Sequence, residues 1–174
     1  MDAPQTAWLF DRLAVTVARV DFLDPARVDD PTARERGVRV ELHLIETRYD
    51  GSIYVSASRS MRPAFCRIDL LESAPYAADR MHWHPVMTSG EPGDRTMVPE
   101  MVADPLAWLT SCLHDVDAVL TGNGIDGSDL HDDVTAVRGC AAEIVACAEQ
   151  GLAWARVDPW PDVARDDRGL APAP

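Results

Sequence analysis

Residues Val38–Tyr49 (VRVELHLIETRY) constrain the fold more than any other stretch. Val38, Val40, Leu42 and Leu44 alternate with Arg39, Glu41, His43 and Ile45. A period of two is the signature of a strand with one face buried. Asp50-Gly51 follows, a pair suited to a tight hairpin turn, and Ser52–Ser58 (SIYVSAS) reads as the returning strand. A chain that opens this way is committed to antiparallel pairing.

The neighbouring segments extend the pattern. Leu13–Leu23 (LAVTVARVDFL) reads as an earlier strand, rich in Val and Thr. Ala3–Arg12 before it reads as a short helix, with Pro4 in its first turn. Asp24–Gly37, with two prolines and a terminal glycine, reads as a loop. Arg59–Pro63 reads as a connection, Ala64–Glu72 as a fourth strand and Asp79–Met87 as a fifth. Four to five strands joined this closely make an antiparallel meander.

The second half is helical in pattern. Asp104 and Pro105 suit an N-cap and a first helical position. Leu106, Leu109, Leu113, Val116 and Leu120 then recur at three and four, with Gly122 as a left-handed cap. A second helix is expected from Ser128 or Asp129, with Asp129, Asp132 and Asp133 at its positive end. Its apolar stripe runs from Val134 to Leu152, flanked by Cys140 and Cys147. The expected architecture is α+β: an antiparallel meander of four to five strands with a helical hairpin packed on one face. Residues 1–157 form one such domain, and 158–174, with four prolines and four aspartates, form a tail expected to be disordered.

Charge narrows the function. There are 29 acidic residues against 16 basic ones, and the net charge is −13. That excess repels a phosphate backbone and an anionic membrane surface, so neither nucleic acid nor membrane is expected as partner. All the basic residues are arginine, so no lysine is present to form a Schiff base. No apolar run reaches the ~20 residues of a membrane span, and the acidic start does not resemble a signal peptide. The expected location is the cytoplasm, where four dispersed cysteines without a C-x-x-C pair read as small apolar residues.

The strands sort their ionisable groups onto one side. Arg39, Glu41 and His43 share a face of the second strand; Arg67 and Asp69 share one on the fourth; Arg80, His82 and His84 share one on the fifth. If Asp69 lies opposite His82, Arg67 lies opposite His84 and Leu71 opposite Arg80, with Cβ separations of ~4.5–5.5 Å. A slip of one residue would scatter the group. Mixed charges alone fit a solvated outer face or a homodimer face. His-x-His beside an aspartate, among Phe65, Leu71, Ile45 and Tyr54, fits a pocket as well.

Two chemistries suit such a face. His82 and His84 would aim two imidazoles at one divalent transition metal, with His43, Asp69 or Glu72 as the third ligand. Without a metal, His82 oriented by Asp69 would act as a general acid or base, alongside His84. In either case Arg67, Arg80 and Arg95 would clamp a small anionic molecule. Cross-strand ion pairing of Arg67 and Arg80 with Asp69, Glu72 and Asp79 accounts for either arginine slightly better than a clamp does. The alternative to an enzyme is a non-catalytic binding or accessory protein that uses the same face for a partner or a second copy.

Other features carry less. Gly122-Asn123-Gly124-Ile125-Asp126-Gly127 matches G-x-G-x-x-G but follows a helix amid acids, so a cap and interhelical loop explain it. His114 reads as exposed or half-buried and His131 as a surface residue, and Trp83 and Trp108 read as packing residues.

The motifs R-x-D-L-x-E (Arg67, Asp69, Leu70, Glu72), D-R-x-H-x-H-P (Asp79 to Pro85), P-G-x-R (Pro92, Gly93, Arg95) and Asp104-Pro105-x-x-Trp108 together resemble a family of uncharacterised bacterial proteins. The resemblance covers about residues 38–110. It implies that these polar residues belong together as a set, and implies no activity. The H-x-H-bearing meander is more remotely similar to small toxin-like ribonucleases, against which the acidic charge speaks.

Overall fold

The computed structural model describes residues 5–23, 33–49, 51 and 57–160. It shows a five-stranded antiparallel meander in the order β1 (Gln5–Leu9), β2 (Leu13–Leu23), β3 (Arg34–Tyr49), β4 (Ala57–Glu72), β5 (His82–His84). Two short strands, β6 (Met87–Thr88) and β7 (Glu91–Pro92), pair in the loop that follows. Four helices complete the described chain: α1 (Pro99–Ala103), α2 (Pro105–His114), α3 (Val116–Gly122) and α4 (His131–Ala155). α4 packs on β2 and β3, with α2 beside it. The fold class is α+β, as the periodicities imply.

The core lies between the helices and one sheet face. Val38, Val40, Leu42, Cys66, Ile68 and Leu70 supply the sheet side, and Leu109, Leu113, Val137, Ile144, Ala148 and Leu152 the helix side. Gly151 sets how closely the two layers approach. A Cβ there would meet the Val38 Cγ2 at 2.4 Å.

The structure departs from the sequence reading in several places. Gln5–Leu9, within the segment read as a helix, is an edge strand paired with β2, Trp8 opposite Val15. Asp11 and Arg12 make the turn, closed by Phe10 N–H donating to the Leu13 carbonyl at 2.9 Å. Asp133 of α4 caps this turn from below, its Oδ1 accepting from the Arg12 and Leu13 amides at 2.8 and 3.2 Å. A short isolated helix is marginal in water, and the open edge of β2 offers hydrogen bonds no local pattern reveals. β3 begins at Arg34, inside the segment read as a loop. The Asp50 turn and residues 52–56 lie outside the described residues, as do residues 24–32.

Arg59–Pro63 is no connection but part of one continuous β4. Its pairing to β3 shifts between Leu42 and Ile45: His43 faces Ala64 and Ile45 faces Met61. Arg62 and Pro63 are thus set against Leu44 alone. A proline, which cannot donate to a ladder, is tolerated at such a bulge. The expected first helix breaks at Asp115 into α2 and α3, yet its apolar stripe continues through Val116 and Leu120. The left-handed residue after α3 is Gly124 (φ 66°), with Asn123 as C-cap, rather than Gly122. α4 starts at His131, leaving Asp129 outside. The G-x-G-x-x-G match spans the end of α3 and the connection to α4, as a cap and loop. Residues 158–160 are placed against the domain, Trp160 donating its indole N–H to the Ala155 carbonyl at 2.6 Å. Residues 161–174 of the expected tail lie outside the described residues.

Candidate metal centre

The register of β4 and β5 decides the geometry of the polar face. Asp69 pairs with His82, Ile68 with Trp83 and Arg67 with His84, the alignment that gathers the cluster. β5 begins only at His82, so the further pairing of Leu71 with Arg80 does not form. Asp69, His82 and His84 are all buried, between 2% and 5% exposed. One ligand-capable atom from each lies within 4.8 Å of the others. The two imidazoles meet edge to face, centroids 5.0 Å apart.

The hydrogen bonds around these rings fix which nitrogen is available. The His82 Nδ1 lies 2.8 Å from the Arg80 carbonyl oxygen, and the His84 Nδ1 2.8 Å from the Gly93 carbonyl oxygen. A carbonyl oxygen only accepts, so each Nδ1 carries the proton and donates. In the neutral ring the lone pair is then on Nε2, the nitrogen free to act as a ligand. The His82 Nε2 stands 3.5 Å from the Asp69 Oδ2. The other carboxylate oxygen, Oδ1, accepts from the Arg39 Nε at 2.7 Å. Burial lowers the His82 pKa, opposed by the Arg80 carbonyl and Asp69 and assisted by Arg95 and His84. A neutral His82 brings an unprotonated nitrogen up to a carboxylate oxygen with no proton between them.

The loop after β5 carries the rest of the site. Trp83 and Thr96 exchange backbone hydrogen bonds, 3.0 and 2.9 Å, which lays residue 96 alongside β5. Arg95 thereby reaches the histidine face. It helps line a cavity of about 270 Å³ with Asp69, His82 and Arg39. Val20, Phe22 and Leu71 are its apolar lining, and Glu35 adds a carboxylate.

The remaining candidates are placed differently. His43 stands apart from the three-residue group. Its Nδ1 donates to the Arg62 carbonyl at 2.9 Å and its Nε2 lies 3.3 Å from the Thr16 hydroxyl oxygen. Glu72 is on the opposite, helix-side face and is wholly buried. It receives the Arg156 guanidinium at 2.6 Å and the Tyr76 amide at 2.9 Å. Its even number already puts it with Ile68 and Leu70, so strict alternation excludes it as a partner of Asp69. Arg67 donates to Glu41 at 2.7 Å, and Arg80 lies 4.0 Å from Glu35 and 3.9 Å from Asp79. Among the candidate arginines only Arg95 lines the cavity. Arg39, which orients Asp69, was grouped on this face by the sequence but given no role. Cross-strand position marks it, since it pairs directly with Asp69 in the β3–β4 ladder.

Elsewhere the expected roles fit the packing. His114 and His131 are exposed, and Trp83 turns to the helix side to meet Trp108 edge to face at 5.2 Å. The four cysteines are free; burial pushes the Cys66 thiol far up and that of Cys112 up to about 12, as apolar surroundings do.

Compared with known proteins, the chain matches no family model, no curated protein and no solved structure. No described helix is long and apolar enough to cross a membrane.

Proposed function

We propose that Asp69, His82 and His84 hold a divalent transition-metal ion, and that the protein is a metal-dependent enzyme acting on a small anionic molecule in the adjoining cavity. The observation that carries this reading is the convergence of three buried acceptors, each oriented by a further hydrogen bond. Backbone carbonyls fix both imidazole rings through Nδ1, and Arg39 fixes the carboxylate. Metal-binding histidines and carboxylates are held in this way by their outer partners. The 3.5 Å between the His82 Nε2 and the Asp69 Oδ2 also suits the centre. Ligands ~2.1 Å from a tetrahedral ion lie about 3.4 Å apart. A cation would remove the unfavourable meeting of lone pairs at buried positions.

Two imidazoles and one carboxylate suit zinc, iron, manganese, cobalt or nickel. Three protein ligands leave open positions, through which such an ion would polarise a bound oxygen or lower the pKa of a bound water to about 7. The chain's own residues orient the ligands and supply, in Arg95, a cation at the cavity wall. His43 takes no part.

Metal analysis of the purified protein, after stripping with a chelator and reloading, tests the reading. Wild type and His43→Gln should each take up one equivalent. Asp69→Asn, His82→Ala and His84→Ala should lose stoichiometric uptake while retaining the wild-type circular dichroism spectrum. Equal uptake by wild type and by the His82→Ala/His84→Ala double variant would sink it. A loaded protein that turns over no ester, amide or phosphoester substrate would favour the non-catalytic binding role instead.

A further inference from the structure

We infer that the cavity beside the metal centre selects a small branched monocarboxylate, its carboxylate on Arg95 and its apolar body against Val20, Phe22 and Leu71. This rests on the reading above for the metal, but the cavity supplies its own argument. At about 270 Å³ it is slightly below the usual range for drug-sized ligands and suits a molecule of few heavy atoms. Its polar groups are asymmetric. The Arg39 guanidinium is committed to Asp69 at 2.7 Å. Arg95 enters no ion pair among the described residues, is exposed and belongs to the cavity lining. One uncommitted guanidinium matches one planar carboxylate through its paired N–H donors.

Glu35 and Asp69 in the lining disfavour a second negative charge on the ligand. The net charge of −13 acts in the same direction over longer range. The rest of the lining is aliphatic and aromatic: Leu71 and Val20 are buried and Phe22, paired across the ladder with Glu35, is half-buried. A ligand made only of charge would leave those apolar groups unused, whereas a branched carbon body would cover them. Asp69, His82 and Arg95 all line the cavity, so a carboxylate held by Arg95 would lie beside two of the residues that would hold the metal.

Calorimetric titration of the metal-loaded and the metal-free full chain tests this, with isovalerate, acetate, isovaleramide and inorganic phosphate as probes. Isovalerate should bind the loaded protein roughly tenfold or more tighter than acetate, from its extra buried carbons. Isovaleramide and phosphate should bind more weakly than isovalerate. Arg95→Gln should weaken isovalerate at least tenfold with the metal stoichiometry unchanged, and Arg95→Lys should recover part of the loss. Phosphate binding tighter than isovalerate, no gain over acetate, or indifference to Arg95→Gln would each overturn the assignment. If the protein loads no metal, the metal reading fails separately. Isovalerate binding to that metal-free protein, lost in Arg95→Gln, would then sustain the cavity assignment, and no binding would overturn it.

Discussion

Glu72 and Asp69 show how much depends on a single side chain's face. They are three residues apart in one strand, both carboxylates and both buried. Asp69 points into the polar layer, and Glu72 into the core on the other side. Glu72 is tolerated there because Arg156, at the end of α4, donates to it with two nitrogens, and because the Tyr76 amide donates as well. The pair is unequal. Arg156 keeps 24% of its side chain exposed and Glu72 none. Removing the arginine strands a charge with no route to water, while removing the glutamate leaves an arginine that can turn outward. Arg156→Ala should therefore destabilise the protein by about 3–5 kcal/mol, and Glu72→Ala by less. Urea unfolding of both single variants and the double one measures this. Equal losses would show that the asymmetry in burial does not govern the pair.

At the level of elements, α4 is positioned by its small residues. Gly139 and Gly151 lie twelve residues apart in one helix, and intrinsic propensity treats them alike. Alanine should gain about 0.5–1 kcal/mol over glycine at either position. The structure separates them. Gly139 is exposed, and a Cβ there meets nothing within 4 Å. At Gly151 the added carbon would meet the Val38 Cγ2 at 2.4 Å, and Val38 is fully buried. Its branched side chain has little rotamer freedom with which to move aside. Gly139→Ala should stabilise by the propensity difference, and Gly151→Ala should destabilise by about 1–3 kcal/mol as an overpacked contact. The midpoints of chemical denaturation should move in opposite directions; a shift of the same sign in both would show that α4 does not rest on Val38 as described. The bulge at Arg62–Pro63 belongs to the same scale. It lets one long strand pass a proline and still bring Arg67 and Asp69 to the face they share with His82 and His84.

For the molecule as a whole, metal binding and stability are linked. An ion that binds the folded chain at a concentration 100 times its Kd stabilises it by about 2.7 kcal/mol. For a protein of this size that corresponds to a rise in Tm of about 5–10 °C. The gain should vanish on adding a chelator and should be absent in His84→Ala. It should also depend on pH in a defined sense. The metal binds the unprotonated imidazole, so protonation competes with it. The His82 pKa is lowered by burial from 6.5, so that ring stays neutral further into the acid range. The metal-induced rise in Tm should be full at neutral pH and still hold at 6.5, shrinking only as pH falls further, to the lowered His82 pKa. A rise that persists undiminished at pH 4.5 would point to carboxylate ligands without histidine.

Alternation by itself determined the antiparallel sheet, the assignment of Arg67, Asp69, His82 and His84 to one face, and the separate helical half. Those features depend on period and on short connections, which are local. Asp104 as helix cap, accepting from the Ala107 amide at 3.0 Å, was legible for the same reason. Gln5–Leu9 was not, because an edge strand owes its conformation to a partner beyond the turn. Nor were the Glu72–Arg156 pair, 84 residues apart, and the commitment of His43 to Thr16 and Arg62. The register of β4 on β5 had two physically acceptable alternatives in sequence. Only the tertiary structure chose the one that places Asp69 opposite His82. It alone also brought the Arg80 and Gly93 carbonyls to the imidazole rings, and Arg95 to the cavity. Those contacts come from the loops on either side of a three-residue strand, and no periodicity encodes where a loop will lie.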